Sequence, residues 1–315
     1  MSRERLLSIA GAATAVLIAG PVLAADAQGG SLGALPWWMW PLLLFVVTFL
    51  LGIVAVIAGL GGGVLFVPIV AGFFPFHLDF VRGAGLMIAL AGALSAGPGL
   101  LRTGMASLRL TMPLALIGSA AAIVGAIAGL ALPVHLVQIG LGLTILAIVV
   151  LMWMAKKSEF PDVPQSDRLA AALRIHGIYF DTGTRREVDW QVHRTPLGLV
   201  LFTGIGILGG LFGLGAGWAS VPTLNLLMGA PLKVAVATSS FMPSIVSSSA
   251  AWVYLNQGAI LPIVTVPSII GIMLGARVGV RLLARVSASA VRMIIIALLL
   301  VAGLRALFVG LGIGT

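Results

Sequence analysis

Residues 59–68 read GLGGGVLFVP, and residues 213–222 read GLGAGWASVP. Each stretch places a glycine cluster before a short apolar segment that contains Val-Pro, and the two stretches are 154 residues apart. A glycine cluster interrupts a helix, so the first backbone N–H groups of the next helix lack intrahelical partners. An unsatisfied N–H group is costly in lipid, so we expect both breaks to lie inside protein or against a wet cavity.

The similarity between the two stretches continues along the chain without a gap. Internal repeats on either side of a central linker are typical of secondary transporters. We therefore interpret residues 36–155 and 196–311 as two membrane repeats. The further matched positions are Ser95-Ala96 with Ser249-Ala250, Gly104 with Gly258, and Pro113 with Pro267.

The composition places these repeats in a membrane. Of the 315 residues, 60% are hydrophobic and only 9% are charged, whereas soluble domains have about 25% charged residues. A soluble globular enzyme and a disordered chain are thereby excluded. The chain has no cysteine, which excludes disulfides and thiolate metal sites. None of the nine acidic residues lies within a long apolar run, which argues against a cation pump and against a membrane-embedded enzyme with paired carboxylates.

The apolar segments predict an all-α polytopic membrane protein with about five membrane elements in each repeat. Two segments, 64–76 and 218–231, follow the glycine clusters and are shorter than the roughly 20 residues of an ordinary span. Each is a half-helix, a re-entrant segment or a short crossing. The long segments are 38–58, 81–101, 110–131, 134–154, 196–214, 234–255, 260–284 and 290–310.

The basic residues predict how the repeats are oriented. If residues 26–35 are outside and each repeat has five elements, fourteen Lys and Arg fall on the cytoplasmic side and two outside. Four crossings per repeat would place six inside and ten outside, so the positive-inside rule favours five. With an odd number of membrane elements in the first repeat, the chain enters the second repeat from the opposite face of the membrane. We therefore predict inverted repeats, a cytoplasmic central linker and an external C-terminus. The net charge of +9 then needs no nucleic-acid partner.

Two segments lie outside the repeats. Residues 1–25 combine Arg3 and Arg5, an apolar stretch and small residues before a possible cleavage point, which fits either a signal peptide or an uncleaved first span. Residues 156–195 are polar, and their second half has the pattern of a small hairpin. This segment is either a solvated linker or a regulatory or docking element.

The glycine breaks are the first candidate binding site. A helix N-terminus carries partial positive charge and binds anions, and two such ends from inverted repeats would converge near the membrane midplane. The alternative is close helix packing through small residues. The candidate residues are Gly61, Gly62, Gly63, Gly215, Ala216 and Gly217.

Side chains near the second break supply further candidates. Thr238, Ser239 and Ser240 lie early in an apolar segment, where their hydroxyls can donate to an oxyanion or bond within and between helices. Asn225 lies in the second short segment. Arg82 opens the span after the first short segment and either snorkels to the interface or provides positive charge for an anion.

These blocks resemble the sulfite exporter TauE/SafE-type permeases, also called the toluene sulfonate uptake permease family. The resemblance covers about residues 38–310, although Ala216 replaces a glycine of the second cluster and the first repeat lacks the Thr-Ser pair. The stretches that carry the resemblance are 59–68, 213–222, 228–235, 237–240 and 176–181.

The resemblance implies a secondary transporter of small sulfur-containing anions such as sulfite, thiosulfate or sulfoacetate. It also implies a bacterial-type cytoplasmic membrane, no cofactor and a small anion as the partner. An inside-negative potential favours export of an anion, and we see no buried acid to couple import to protons. An anion channel, or a transporter of an unrelated small solute, is the alternative function.

Overall fold

In the computed structural model, the described residues are 36, 38–58, 62–102, 105–154, 161, 163, 165–181, 186–282 and 288–312. The candidate signal segment 1–25 and Gly61 lie outside them. The first half has helices α1 (Met39–Ala58), α2 (Gly62–Phe73), α3 (Leu78–Arg102), α4 (Leu108–Ala131) and α5 (Val134–Met154). The central segment has α6 (Arg168–Ala172) and strands β1 (His176–Asp181) and β2 (Arg186–Gln191). The second half has α7 (Thr195–Phe212), α8 (Gly217–Pro222), a π-helix (Thr223–Leu227), α9 (Leu232–Phe241), α10 (Pro243–Asn256), α11 (Pro262–Leu282) and α12 (Ala288–Gly310).

The protein is an all-α polytopic membrane protein, as its composition predicts. In the described part of the chain, seven helical segments are long and apolar enough to cross a membrane. Large apolar side chains such as Leu116, Val124 and Trp153 are exposed on their outer faces, as lipid contact requires. Gly62–Phe73 is a shorter apolar helix, and Ile295–Gly310 is a shorter apolar stretch within α12.

Each short helix after a glycine break turns back along the helix before it. Trp40, at the start of α1, contacts Phe74 and Phe76 just after α2, at ring distances of 6.0 and 5.9 Å. In the second half, the N–H of His193, just before α7, donates to the carbonyl of Met228, just after the π-helix (3.0 Å). Residues 64–76 and 218–231, which are shorter than an ordinary span, therefore each form the second arm of a hairpin.

The same helix pairs are in contact when each helix is replaced by its counterpart in the other half. Helix α1 packs on α11, and its counterpart α7 packs on α4, the counterpart of α11. Helix α5 packs on its own counterpart α12, and α3 packs on α10. An approximate two-fold rotation that relates the two repeats would produce this pattern of contacts.

Glycine contacts follow the same 154-residue offset. A Cβ on Gly52 would meet the carbonyl oxygen of Ile272, and a Cβ on Gly206 would meet that of Gly118. Gly279 approaches the Ile53 carbonyl in the α1–α11 interface, and Gly125 approaches that of Ile207 in the α4–α7 interface. Small residues let membrane helices approach closely, so both interfaces use glycine at corresponding positions.

The polar segment between the halves is packed onto the second half. Strands β1 and β2 pair antiparallel, with Tyr179 opposite Val188. Tyr179 is 4% exposed and Trp190 is 8% exposed, in one apolar cluster with Met228. The segment is therefore docked on the membrane helices through one face of the hairpin, while Ile178 on the hairpin is 65% exposed.

One carboxylate anchors this segment to the start of α7. The backbone N–H and the hydroxyl of Thr195 donate to the Asp167 carboxylate at 2.7 and 2.9 Å, and the N–H of Ala170 donates to it at 2.8 Å. Asp167 thus caps α6 and holds the first turn of α7 at the same time.

Replacing Asp167 with alanine should lower the free energy of unfolding by about 2 kcal/mol, because a helix cap and two further hydrogen bonds are lost together. The midpoint of thermal unfolding in detergent checks this. The exposed carboxylate of Asp189 provides the control, since Asp189→Ala should leave the midpoint unchanged. Equal midpoints for both variants would contradict the anchoring role.

Candidate functional site

The two glycine-rich breaks meet in the interior of the protein. A Cβ on Gly63, in the first turn of α2, would lie 3.0 Å from the carbonyl oxygen of Leu214 and 3.2 Å from that of Gly213. The same Cβ would lie 2.7 Å from the carbonyl oxygen of Gly85 in α3. The first break thus touches the second directly, with α3 against both.

Close packing accounts for several of these glycines. Gly85 leaves no room for a side chain beside Val67 and Gly213, and a Cβ on Gly213 would meet the backbone of Arg82. Gly62 faces the side chains of Ile272 and Ile88. Packing through small residues is therefore present at the breaks, and anion binding by their backbone donors stays a prediction.

The second break is formed by residues in the left-handed backbone region. Gly213 has φ +73° and Gly215 has φ +71°, a conformation that glycine adopts at little cost. The N–H of Gly215 donates to the carbonyl of Gly209 (3.3 Å). Helix α8 then begins at Gly217, and its N-cap residue Ala216 makes no side-chain capping hydrogen bond. The first N–H groups of α8 are the predicted backbone donors of this break.

Arg82 is buried where helices from both halves end. Its side chain is 1% exposed and is paired with the carboxylate of Asp79. One guanidinium nitrogen, Nη1, donates to the carbonyl oxygens of Gly129 (3.0 Å) and Leu211 (2.9 Å), near the C-termini of α4 and α7. A cation is favourable at such carbonyl ends. Arg82 therefore does not snorkel to the interface, and it joins α3, α4 and α7; a contact of Arg82 with substrate stays a prediction.

Tyr254 lies beside Arg82, and no sequence motif identified it as a candidate site residue. Its single O–H proton is shared between the carbonyl oxygens of Gly210 (3.1 Å) and Leu211 (3.2 Å), and its ring lies 5.7 Å from the Arg82 guanidinium carbon. The chain has only two tyrosines, and a tyrosine inside an apolar helix was the available signal. We name Asp79, Arg82 and Tyr254 the Arg82 cluster.

Of the three predicted hydroxyl residues, Thr238 and Ser240 have hydrogen-bond partners within the protein. The N–H of Ser107 donates to Thr238 Oγ1 (3.2 Å), and the Ser240 hydroxyl donates to the Val236 carbonyl (2.8 Å). The Ser239 hydroxyl is buried without a hydrogen-bond partner among the described residues. The amide nitrogen of Asn225 donates to the Ala230 carbonyl (2.8 Å) and closes the turn after the π-helix.

The three hydroxyl residues lie away from the glycine breaks along α3. Phe241, the last residue of α9, packs against Gly97, whereas Gly215 packs against Ala89. Eight helical residues separate these two points of α3, roughly 12 Å at the usual rise. The structure thus brings together the two breaks and the Arg82 cluster, while Thr238, Ser239 and Ser240 stand toward the other end of α3. Among the described residues, no group of three or more His, Asp or Glu is placed to hold a metal ion.

These features define a class of protein: a polytopic α-helical membrane protein built from two similar halves. The model of the family "Sulfite exporter TauE/SafE" matches residues 43–306, which is most of the chain. The chain belongs to this family.

One curated protein gives a partial match. The chain is 28% identical over 119 residues to the "Probable membrane transporter protein YunE" of Bacillus subtilis (strain 168). The match covers 38% of this chain and 44% of that protein, so the chain spans less than half the length of the relative. No solved structure matches the chain.

Proposed function

We propose that the protein exports small sulfur-containing anions, namely sulfite, thiosulfate or an organosulfonate such as sulfoacetate, across the cytoplasmic membrane. The observation that carries this proposal is the direct contact of the two glycine breaks, Gly63 against Leu214, between the halves of a TauE/SafE-family transporter. In transporters built from repeats, substrate sites lie where broken helices of the two repeats meet. The choice of a sulfur oxyanion as the substrate rests on the name of the family.

The proposed mechanism is alternating access by inverted repeats. The exchange of packing partners between the halves, with α1 on α11 and α7 on α4, supports a two-fold relation. Five elements per half, counting each hairpin arm as one, support opposite orientations. The central segment is then cytoplasmic and the C-terminus external. One half rocking against the other would expose the breaks to each side in turn.

The direction of transport is proposed from the charges. The acid at the start of α3, Asp79, is paired with Arg82. An inside-negative potential favours anion exit by about 2.3 kcal/mol per charge per 100 mV. Export therefore needs no coupling ion, whereas import would need one.

Anion binding to the purified protein tests this function. We expect sulfite, thiosulfate or sulfoacetate to raise the midpoint of thermal unfolding in detergent, because a ligand of the folded state stabilises it by about 2.7 kcal/mol at one hundred times its dissociation constant. Acetate and chloride at equal ionic strength are the controls. Trans-stimulated exchange of the same anion in proteoliposomes should follow, and this separates a carrier from a channel. A folded protein that responds to none of the sulfur anions would overturn the proposal.

A further inference from the structure

The serines of α10 differ in how their hydroxyls are used. A serine in a membrane helix commonly donates to the carbonyl three or four residues earlier. Ser244 donates in this way to Phe241 (2.7 Å), and Ser248 donates to Ile245 (2.7 Å). Ser249 also donates to Ile245 (3.3 Å). These three hydroxyls are satisfied within their own part of the chain.

Ser247 is the exception. Its side chain is 0% exposed, and its hydroxyl has no hydrogen-bond partner among the described residues. The oxygen lies 2.8 Å from the position that a Cβ on Gly215 would occupy, and Ala89 Cβ lies 3.1 Å from that same position. The Ser247 hydroxyl therefore points across the helix interface at the second glycine break, between α10 and α3.

An orphaned buried hydroxyl is unfavourable and calls for an explanation. Ser247 lies inside a helix, where the neighbouring serines show that a carbonyl is within reach of a rotated side chain. The observed orientation gives up that hydrogen bond and directs a donor at a glycine. Because Gly215 has no side chain, an atom of a ligand can approach the hydroxyl where any other residue would place Cβ.

A second orphaned donor lies at the same break. Trp218, in the first turn of α8, has a buried indole Nε1 without a partner among the described residues. An indole N–H donates and cannot accept. Its partner must therefore be an acceptor, such as an oxygen of an oxyanion.

We infer that Ser247 donates a hydrogen bond to an oxygen of the transported oxyanion as the anion passes the Gly215 break. This inference rests on the proposed function and adds a specific contact to it. The first-half counterpart of Ser247, at the 154-residue offset, is Ala93. The contact is therefore made by the second half alone, and the site is asymmetric.

The variant Ser247→Ala tests the inference, with Ser248→Ala as the matched control on the next residue. Sulfite, thiosulfate and sulfoacetate are each used as the probe in trans-stimulated exchange. Loss of a hydrogen bond to a charged group should raise the half-saturation concentration of the transported anion roughly tenfold or more. Ser248→Ala should behave as the wild type does.

Thermal unfolding without anion separates a substrate contact from a structural role. Since the hydroxyl has no protein partner, Ser247→Ala should keep the anion-free midpoint of the wild type and show a smaller rise with the anion. A wild-type half-saturation concentration in Ser247→Ala, or a lowered anion-free midpoint with an unchanged anion response, would overturn the inference and leave the proposed function standing. If the wild-type protein itself responds to none of the three anions, both fall together.

Discussion

Replacing Gly213 with alanine is expected to abolish folded protein in the membrane. Two penalties combine at this position. Gly213 has φ +73°, a left-handed conformation that costs other residues about 1–2 kcal/mol. A Cβ would also overlap the backbone of Arg82, which belongs to a helix and has little freedom to move. The two breaks and α3 meet here, so the strain would separate the halves at their contact.

Three matched glycine variants separate the two penalties. Gly258 has φ +67° with nothing within 4 Å of an added Cβ, and Gly204 has open space without a positive φ. Gly258→Ala should therefore show the backbone cost alone, and Gly204→Ala should show none. The yield of monodisperse protein and the thermal midpoint in detergent measure the series. Gly213→Ala with the midpoint of Gly258→Ala would mean that the overlap with Arg82 is relieved at no cost.

Replacing Arg82 with methionine should be the most destabilising change to a single polar side chain. The side chain is 1% exposed, pairs with Asp79 and donates to two carbonyl oxygens. Removing one partner of a fully buried pair costs about 3–5 kcal/mol, and the cost here should be lower because the Asp79 carboxylate is 27% exposed. Methionine keeps much of the volume, so the expected fall in the thermal midpoint reports on the lost charge and hydrogen bonds.

Two controls define the role of the Arg82 cluster. Arg109 is exposed, and Arg109→Met should leave the midpoint unchanged. Tyr254→Phe removes a hydroxyl that shares the Leu211 carbonyl with Arg82, so it should cost about 1 kcal/mol and be non-additive with the arginine change. If Arg82→Met instead keeps the wild-type midpoint and loses only the anion response, Arg82 is a substrate ligand rather than a structural capping residue.

Composition and local pattern predicted the class of the protein and its segmentation. Low charge and long apolar runs require lipid as the solvent, and this holds whatever the helices touch. The repeated glycine clusters predicted the two breaks, and α2 and α8 begin at Gly62 and Gly217, inside those clusters. Both signals are local, because they depend on a few consecutive residues.

The candidate site was predictable only in part. The glycines at the breaks were visible as a repeated motif, but Gly85, which packs against both Val67 and Gly213, belongs to no motif. Thr238 looked close to the second break because it follows soon after it in the chain. In the structure, the π-helix and the turn closed by Asn225 intervene, and Thr238 meets Ser107 at the start of α4 instead.

Hydropathy, the internal repeat and the glycine clusters were enough to predict that this protein spans a membrane, that it is built from two similar halves, and where glycine breaks each half. Three features became visible only in the packed helices. Arg82 and Tyr254 share the Leu211 carbonyl, the hairpin with Trp190 docks on the second half, and the Ser247 hydroxyl faces Gly215. The difference lies in how far along the chain each interaction reaches. Hydropathy and backbone preference act on neighbouring residues, whereas hydrogen-bond partners 43 and 129 positions apart depend on how the helices pack.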